Sequence, residues 1–202
     1  MGASTAAIVA TLALPCVLLS YAVSQPLRWF SWHPLLMLLS YVAAAGAGIL
    51  TKRKGGRLNT ITHGYAMIVA SLLALGGWYV IFEQKRMLSK SHNTSWHAWL
   101  GLVAIASYVA GAVGGSVALH PDFGMWRRDA RFRHVHKLAA RAGTISAFAA
   151  IGTGVLKLAG TVLTSAVVIA LIGLGWRLHL ADCLAWATPT QANSTTRSLQ
   201  PV

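Results

Sequence analysis

The sequence predicts an all-α membrane protein with six transmembrane helices. Three observations carry this fold class. The 202 residues are 55% hydrophobic and only 10% charged, against about a quarter charged in soluble domains. The apolar residues gather into runs near the ~20 residues that cross the hydrocarbon as a helix, and the mean hydropathy is +0.58. Most of the basic residues lie in the short segments between those runs. The formal charge of +13, from 17 Lys and Arg against 4 Asp and Glu, would suggest nucleic acid in a soluble protein. Here it reads as topology signal and as attraction to anionic lipid or an anionic substrate, so nucleic acid is not expected as a partner.

The elements follow in order. Residues 6–23 form the first span. No Lys or Arg precedes Arg28, so a signal peptide is the weaker reading and a retained helix is expected. Pro15 would kink it. The second span covers about 31–50, with Pro34 suited to a first helical turn because it has no N–H to leave unsatisfied. The third covers about 60–82, the fourth about 96–119, the fifth about 135–156 and the sixth about 159–176. Lys157 is expected in a very short turn between the last two. The whole, 1–202, reads as one domain with 177–202 as a polar tail, whose end has a disordered composition. Cys16 and Cys183 fall at different depths and imply no disulfide framework.

Orientation comes from the loops. Lys52, Arg53, Lys54 and Arg57 follow the second span, and Arg127, Arg128, Arg131 and Arg133 precede the fifth. This face outweighs the one carrying Arg28, Lys85, Arg86, Lys90 and Lys157, so it is expected to be cytoplasmic, with both termini. Asn93-Thr94-Ser95 is then a non-cytoplasmic glycosylation sequon that lies close to the bilayer.

An ionisable residue inside a span is costly and tends to be functional. His33 opens span two and His97 opens span four, both on the non-cytoplasmic side. His63 opens span three and His136 opens span five, on the cytoplasmic side. Four histidines thus make two pairs at two depths, roughly 20–25 Å apart at 1.5 Å per residue. Neutral imidazoles are usual axial ligands of a six-coordinate haem, and facing side chains in a bundle core are where such a site is built. Two b haems are therefore the expected cofactors, with these histidines as iron ligands. His134 is the rival to His136. Arg141, about one turn beyond His136, either pairs with a haem propionate or snorkels to the cytoplasmic face. His120 and His179 read as interfacial residues. The glycines of the central spans, among them Gly48, Gly77, Gly101, Gly111 and Gly115, either flank a flat macrocycle or serve ordinary helix packing.

The stretches Phe30-Ser31-Trp32-His33-Pro34-Leu35-Leu36-Met37, Thr62-His63-Gly64 and His92-Asn93-Thr94-Ser95-Trp96-His97-Ala98-Trp99-Leu100-Gly101 resemble the cytochrome b561 family, in a compact form without fused domains. The resemblance implies a central four-helix bundle of spans two to five holding two b haems, ligated by His33 with His97 and by His63 with His136. It implies a multi-pass protein of an endomembrane, such as the endoplasmic reticulum or a vesicle. It also implies electron transfer from cytosolic ascorbate to monodehydroascorbate or ferric iron. A homodimer is an open partner. The ascorbate anion calls for a cationic site, for which Lys52, Arg53, Lys54 and Arg57 are candidates beside their topology role. His92 matches a family position that shuttles a proton or contacts the acceptor; otherwise it is an exposed loop histidine. The reading of a different class, a six-span transporter or a scaffold, would call for broken helices and a midplane site.

Overall fold

The computed structural model describes residues 28–175, with side chains through 157 and at 171 and 173. The expected first span, Cys16, Cys183, His179 and the tail lie outside the described residues. Those described are helical, and four helices are long and apolar enough to cross a membrane. Helix α1 is Trp29–Arg53, α2 is Arg57–Met87, α3 is Trp96–Ala118, and α4 is Ala130–Gly175, of which Ala130–Lys157 forms the fourth span.

Local chemistry sets the ends. Gly55 and Gly56 take φ of 72° and 84°, the left-handed region that L side chains resist, and so reverse the chain between α1 and α2. Ser95 caps α3, its hydroxyl accepting from the Ala98 amide. Asp129 does the same for α4, its carboxylate accepting from the amides of Arg131 and Phe132 at 2.7 and 3.1 Å. Helix α4 therefore starts five residues before the expected position 135, and His136 stands nearly two turns inside it.

Two departures bear on the site. Helix α1 is not regular: a π turn, Leu39–Ala44, separates the α segments Trp32–Leu38 and Ala45–Arg53. In addition, no loop stands at Lys157, where the backbone stays helical from Ala130 through Gly175. Yet Leu171 packs in the same apolar cluster as Leu38, Val42, Ile151 and Val155. A straight helix would carry it roughly 30 Å beyond Ile151. The chain therefore returns between Val155 and Leu171, which the expected turn between the fifth and sixth spans also requires.

The core between the helices is small and close. Ala45, Ala70, Ala74, Ala104 and Ala147 are fully buried around Tyr41 and Tyr108, whose rings meet edge to face at 4.9 Å. Without a hydrophobic drive between helices in lipid, such small residues allow the backbones to approach. Ser40, also buried, donates to the Ala70 carbonyl at 2.6 Å, tying the π turn to α2. Large apolar side chains such as Leu72, Trp99 and Val113 point outward, as lipid-facing residues do.

Candidate functional site

The bundle holds its histidines in two layers. In the first, His33 of α1 and His97 of α3 face each other with ring centres 6.1 Å apart and planes at 80°. Each ring is aimed by a backbone carbonyl of a neighbouring helix. His33 Nδ1 lies 2.8 Å from Gly77 O of α2, and His97 Nδ1 lies 2.8 Å from Ala150 O of α4. A carbonyl requires an N–H there, which fixes the tautomer and leaves each Nε2 as the free lone pair.

In the second layer one ring is aimed in the same way. His63 Nδ1 of α2 donates to Gly48 O of α1 at 3.0 Å. His136 of α4 packs on Gly115 of α3, where a Cβ would come within 3.2 Å of its Cε1. His63 and His136 lie within electrostatic reach of each other and of Lys52. His134 is exposed, whereas His136 is half-buried. Along α2, His63 is fourteen residues from Gly77, and along α4, His136 is fourteen from Ala150. At 1.5 Å per residue the layers stand roughly 21 Å apart by either helix.

Around His33 and His97 lies a cavity of about 730 Å³, walled by Leu38, Ile105, Ala147 and Ile151. That volume is ample for a cofactor site. The spacing of the two rings leaves room for one metal ion bound to both facing nitrogens at the ~2.0–2.1 Å usual for imidazole. Among the described residues no group of three or more His, Cys, Asp or Glu could hold a metal ion. The histidines come in pairs, and a pair supplies only the two axial bonds of a metal whose other ligands belong to a macrocycle. Opposed imidazoles with fixed tautomers, apolar walls and a cationic mouth fit a six-coordinate haem. At the inner end of the cavity the Tyr41 hydroxyl is buried without a hydrogen-bond partner. Tyr108, beside it, is within hydrogen-bond distance of the Thr144 hydroxyl, at 3.2 Å.

The structure brings His92 to the same cavity. Its ring stacks on Phe82 at 4.4 Å and lines the mouth with Arg28, Lys85 and Lys157. Those three cations read in the sequence only as topology signal. Four glycines, Gly48, Gly77, Gly115 and Gly154, lie beside imidazoles, and Gly101 lines the cavity. Gly154 was not singled out in the sequence; its signal, a small residue four beyond the carbonyl that receives His97, needs the fold to be seen.

The candidate donor residues divide. Lys52 Nζ donates to Thr60 Oγ1 at 2.6 Å and stands near Arg133 and Lys137, close to the His63–His136 layer. Arg53 and Lys54 are exposed beside it. Arg57 turns away: its guanidinium grips Asp122 of the α3–α4 loop through two bonds of 2.6 and 2.7 Å. This bond holds the Asp122 carboxyl below the usual carboxylate range and joins the two basic loops on one face. Arg141 is half-buried beyond His136.

The chain matches the profile of the family described as eukaryotic cytochrome b561 over residues 32–161. Among curated relatives, a transmembrane ascorbate-dependent reductase of Mus musculus is 30% identical over 134 residues, covering 64% of this chain and 52% of that protein. A lysosomal membrane ascorbate-dependent ferrireductase of Bos taurus is 33% identical over 107 residues, covering 50% and 40%. A transmembrane reductase of Bos taurus is 30% identical over 103 residues, covering 46% and 45%. The chain spans about half the length of the curated relatives it matches.

Proposed function

Because the chain belongs to the eukaryotic cytochrome b561 family, we propose that it carries electrons across a membrane, from ascorbate on the basic face to an acceptor at the His92 face. The observation that carries this reading is the stacking of two histidine pairs roughly 21 Å apart, each pair drawn from helices of like direction. A b haem, when bound, supplies a one-electron carrier held by two axial imidazoles. His33 with His97 would hold one, and His63 with His136 the other. The relatives named for ascorbate support the donor. Positive-inside bias in the 52–57 and 127–133 loops supports placing the donor face in the cytosol.

This chain's own part is to orient and to exclude. Carbonyls of Gly48, Gly77 and Ala150 keep the imidazole tautomers fixed. Ascorbate is an anion that releases one electron and one proton as it becomes monodehydroascorbate. Lys52, with Arg53, Lys54, Arg133 and Lys137 around it, offers the cations to hold such an anion near the His63–His136 layer. Arg57 is assigned a structural role, because Asp122 occupies its guanidinium. His92 at the opposite mouth is placed to hand a proton to an acceptor that needs one.

The test is haem content with ascorbate titration. Purified chain should give a pyridine haemochrome ratio near two per polypeptide and a visible band that ascorbate reduces. A ratio of one would remove one layer from the reading, and a colourless protein would remove the reading itself. Changing Lys52, Arg53 and Lys54 together to Gln should slow reduction by ascorbate and leave dithionite reduction unchanged. Equal ascorbate rates would leave those cations a topology role alone.

A further inference from the structure

Three hydroxyl-bearing side chains lie buried between the two histidine layers. Tyr41 of α1, Tyr108 of α3 and Thr144 of α4 are 3%, 7% and 2% exposed. Tyr41 stands midway along α1, eight residues from His33 and seven from Gly48, and lines the inner end of the His33–His97 cavity. The hydrogen positions follow from the oxygens. Thr144 has one hydroxyl hydrogen and donates it to the Ala140 carbonyl at 2.9 Å. Toward the Tyr108 hydroxyl, at 3.2 Å, Thr144 can then only accept. Tyr108 therefore donates to Thr144, and its oxygen is left as an acceptor. Tyr41 meets Tyr108 ring to ring, and its hydroxyl lies within electrostatic reach of the Tyr108 hydroxyl. Yet that Tyr41 hydroxyl has no hydrogen-bond partner among the described residues. A hydroxyl buried among apolar groups is costly to leave unpaired. A macrocycle in the cavity carries oxygen only on its propionates, and Arg28, Lys85 and Lys157 at the mouth attract those carboxylates away from Tyr41.

We propose that a single water molecule is bound between Tyr41 and Tyr108, at the midplane of the bundle, and that through it Tyr41 favours the reduced state of the group held by His33 and His97. The water accepts from the Tyr41 hydroxyl and donates one hydrogen to the Tyr108 oxygen. Two polar partners are enough to hold a buried water. Its second hydrogen is left for the cavity, so the positive end of a dipole faces the place where an electron arrives. That end stabilises the added negative charge, and the low dielectric of the interior strengthens the effect. No bond breaks and no proton moves. Tyr41 is thus a positioning residue, acting through the water. The inference rests on the proposed haem of the first layer.

The experiment uses the full chain purified with its haem. The infrared difference spectrum between oxidised and reduced wild type should contain a water O–H band that shifts in heavy-oxygen water. Tyr41→Phe keeps the ring and its packing and removes only the hydroxyl, so it should abolish that band. The visible band that disappears in His33→Ala identifies the first-layer haem for a redox titration. At the potential where this haem is half reduced in the wild type, Tyr41→Phe should lower its reduced-to-oxidised ratio by about three- to tenfold, the effect of one ordinary hydrogen bond. Haem content and the titration of the other haem should stay unchanged. Tyr108→Phe removes the water's acceptor and should lower the same ratio. The double variant should lower it no further than the larger single change, because both hydroxyls serve one water. A Tyr41→Phe titration that superposes on the wild type overturns the inference. Equal shifts in both haems also overturn it, as the effect would then be general loosening of the bundle. A tyrosine band that responds to reduction without any water band overturns it as well, since Tyr41 would then bond a propionate directly. A chain that lacks the first-layer haem in the wild type fails the parent reading before any variant is compared, and this inference falls with it.

Discussion

A carbonyl and a missing side chain aim His97. Its Nδ1 reaches the Ala150 carbonyl only because residue 154, one turn on, is glycine; a Cβ there would stand 2.9 Å from Cε1 and 3.2 Å from Nδ1. Gly154→Ala should therefore push the ring off its carbonyl, losing a bond worth ~0.5–1.5 kcal/mol and tilting the free nitrogen. Haem content should fall toward one per chain. Gly111→Ala, where a Cβ meets nothing within 4 Å, is the control and should retain two by the same haemochrome assay. The histidines themselves are legible in the sequence because each opens an apolar run. Their glycine seats are not, because a glycine in an apolar helix looks the same whether it faces an imidazole, another helix or lipid. His134 and His136 are two residues apart, so helix geometry alone puts them on different faces; which face is inward needed Gly115 on the neighbouring helix.

At the scale of elements, the π turn Leu39–Ala44 sets the phase of α1. It lies between His33 and Gly48, so its wider turn decides how the first layer is rotated against the second. Such turns gather at functional sites. Deleting Ala44 should convert the turn to α-helix and rotate His33 by roughly 100° about α1. The band of the His33–His97 layer should vanish while that of the His63–His136 layer survives; retention of both bands would mean that the turn is incidental. Nothing in Leu-Ser-Tyr-Val-Ala-Ala announces it, since a π turn forms where packing rewards an inserted residue, here Ser40 bonded to Ala70. The limits of the second to fifth spans were legible to within about five residues, because ~20 apolar residues are dictated by the bilayer. Helix α4 starts before the apolar run does because Asp129 caps it, and hydropathy does not register a polar cap. Between elements, the Arg57–Asp122 pair pins two loops. The depressed folded pKa of Asp122 means that its contribution is complete above the ordinary carboxylate pKa of ~3.9 and is lost as pH falls through the lower folded value. The difference in melting temperature between wild type and Asp122→Asn should accordingly shrink as the pH is taken from neutral to about 3. A difference that persists unchanged there would place the effect of Asn elsewhere than in the charge.

For the molecule as a whole, helix direction decides the face on which each histidine falls. Helices α1 and α3 run one way and α2 and α4 the other, so a histidine near the start of each span falls alternately on the two faces. The bundle then joins His33 to His97 and leaves His63 near His136. An iron held by two imidazoles loses its six-coordination when either one goes, so the four alanine variants should sort into two pairs. His33→Ala and His97→Ala should give matching spectra, and both should block delivery to the acceptor at the His92 face while ascorbate still reduces the remaining haem. His63→Ala and His136→Ala should give the other matching spectra, with ascorbate entry slowed and the remaining haem visible with dithionite. The double variant His33→Ala, His97→Ala should cost no more haem than either single one, because both residues serve one iron. The mixed double, His33→Ala with His63→Ala, should lose both. If His33→Ala matches His63→Ala in spectrum, the pairing by helix direction fails. If His134→Ala removes a haem and His136→Ala does not, the inward face of α4 has been assigned one residue pair too far along.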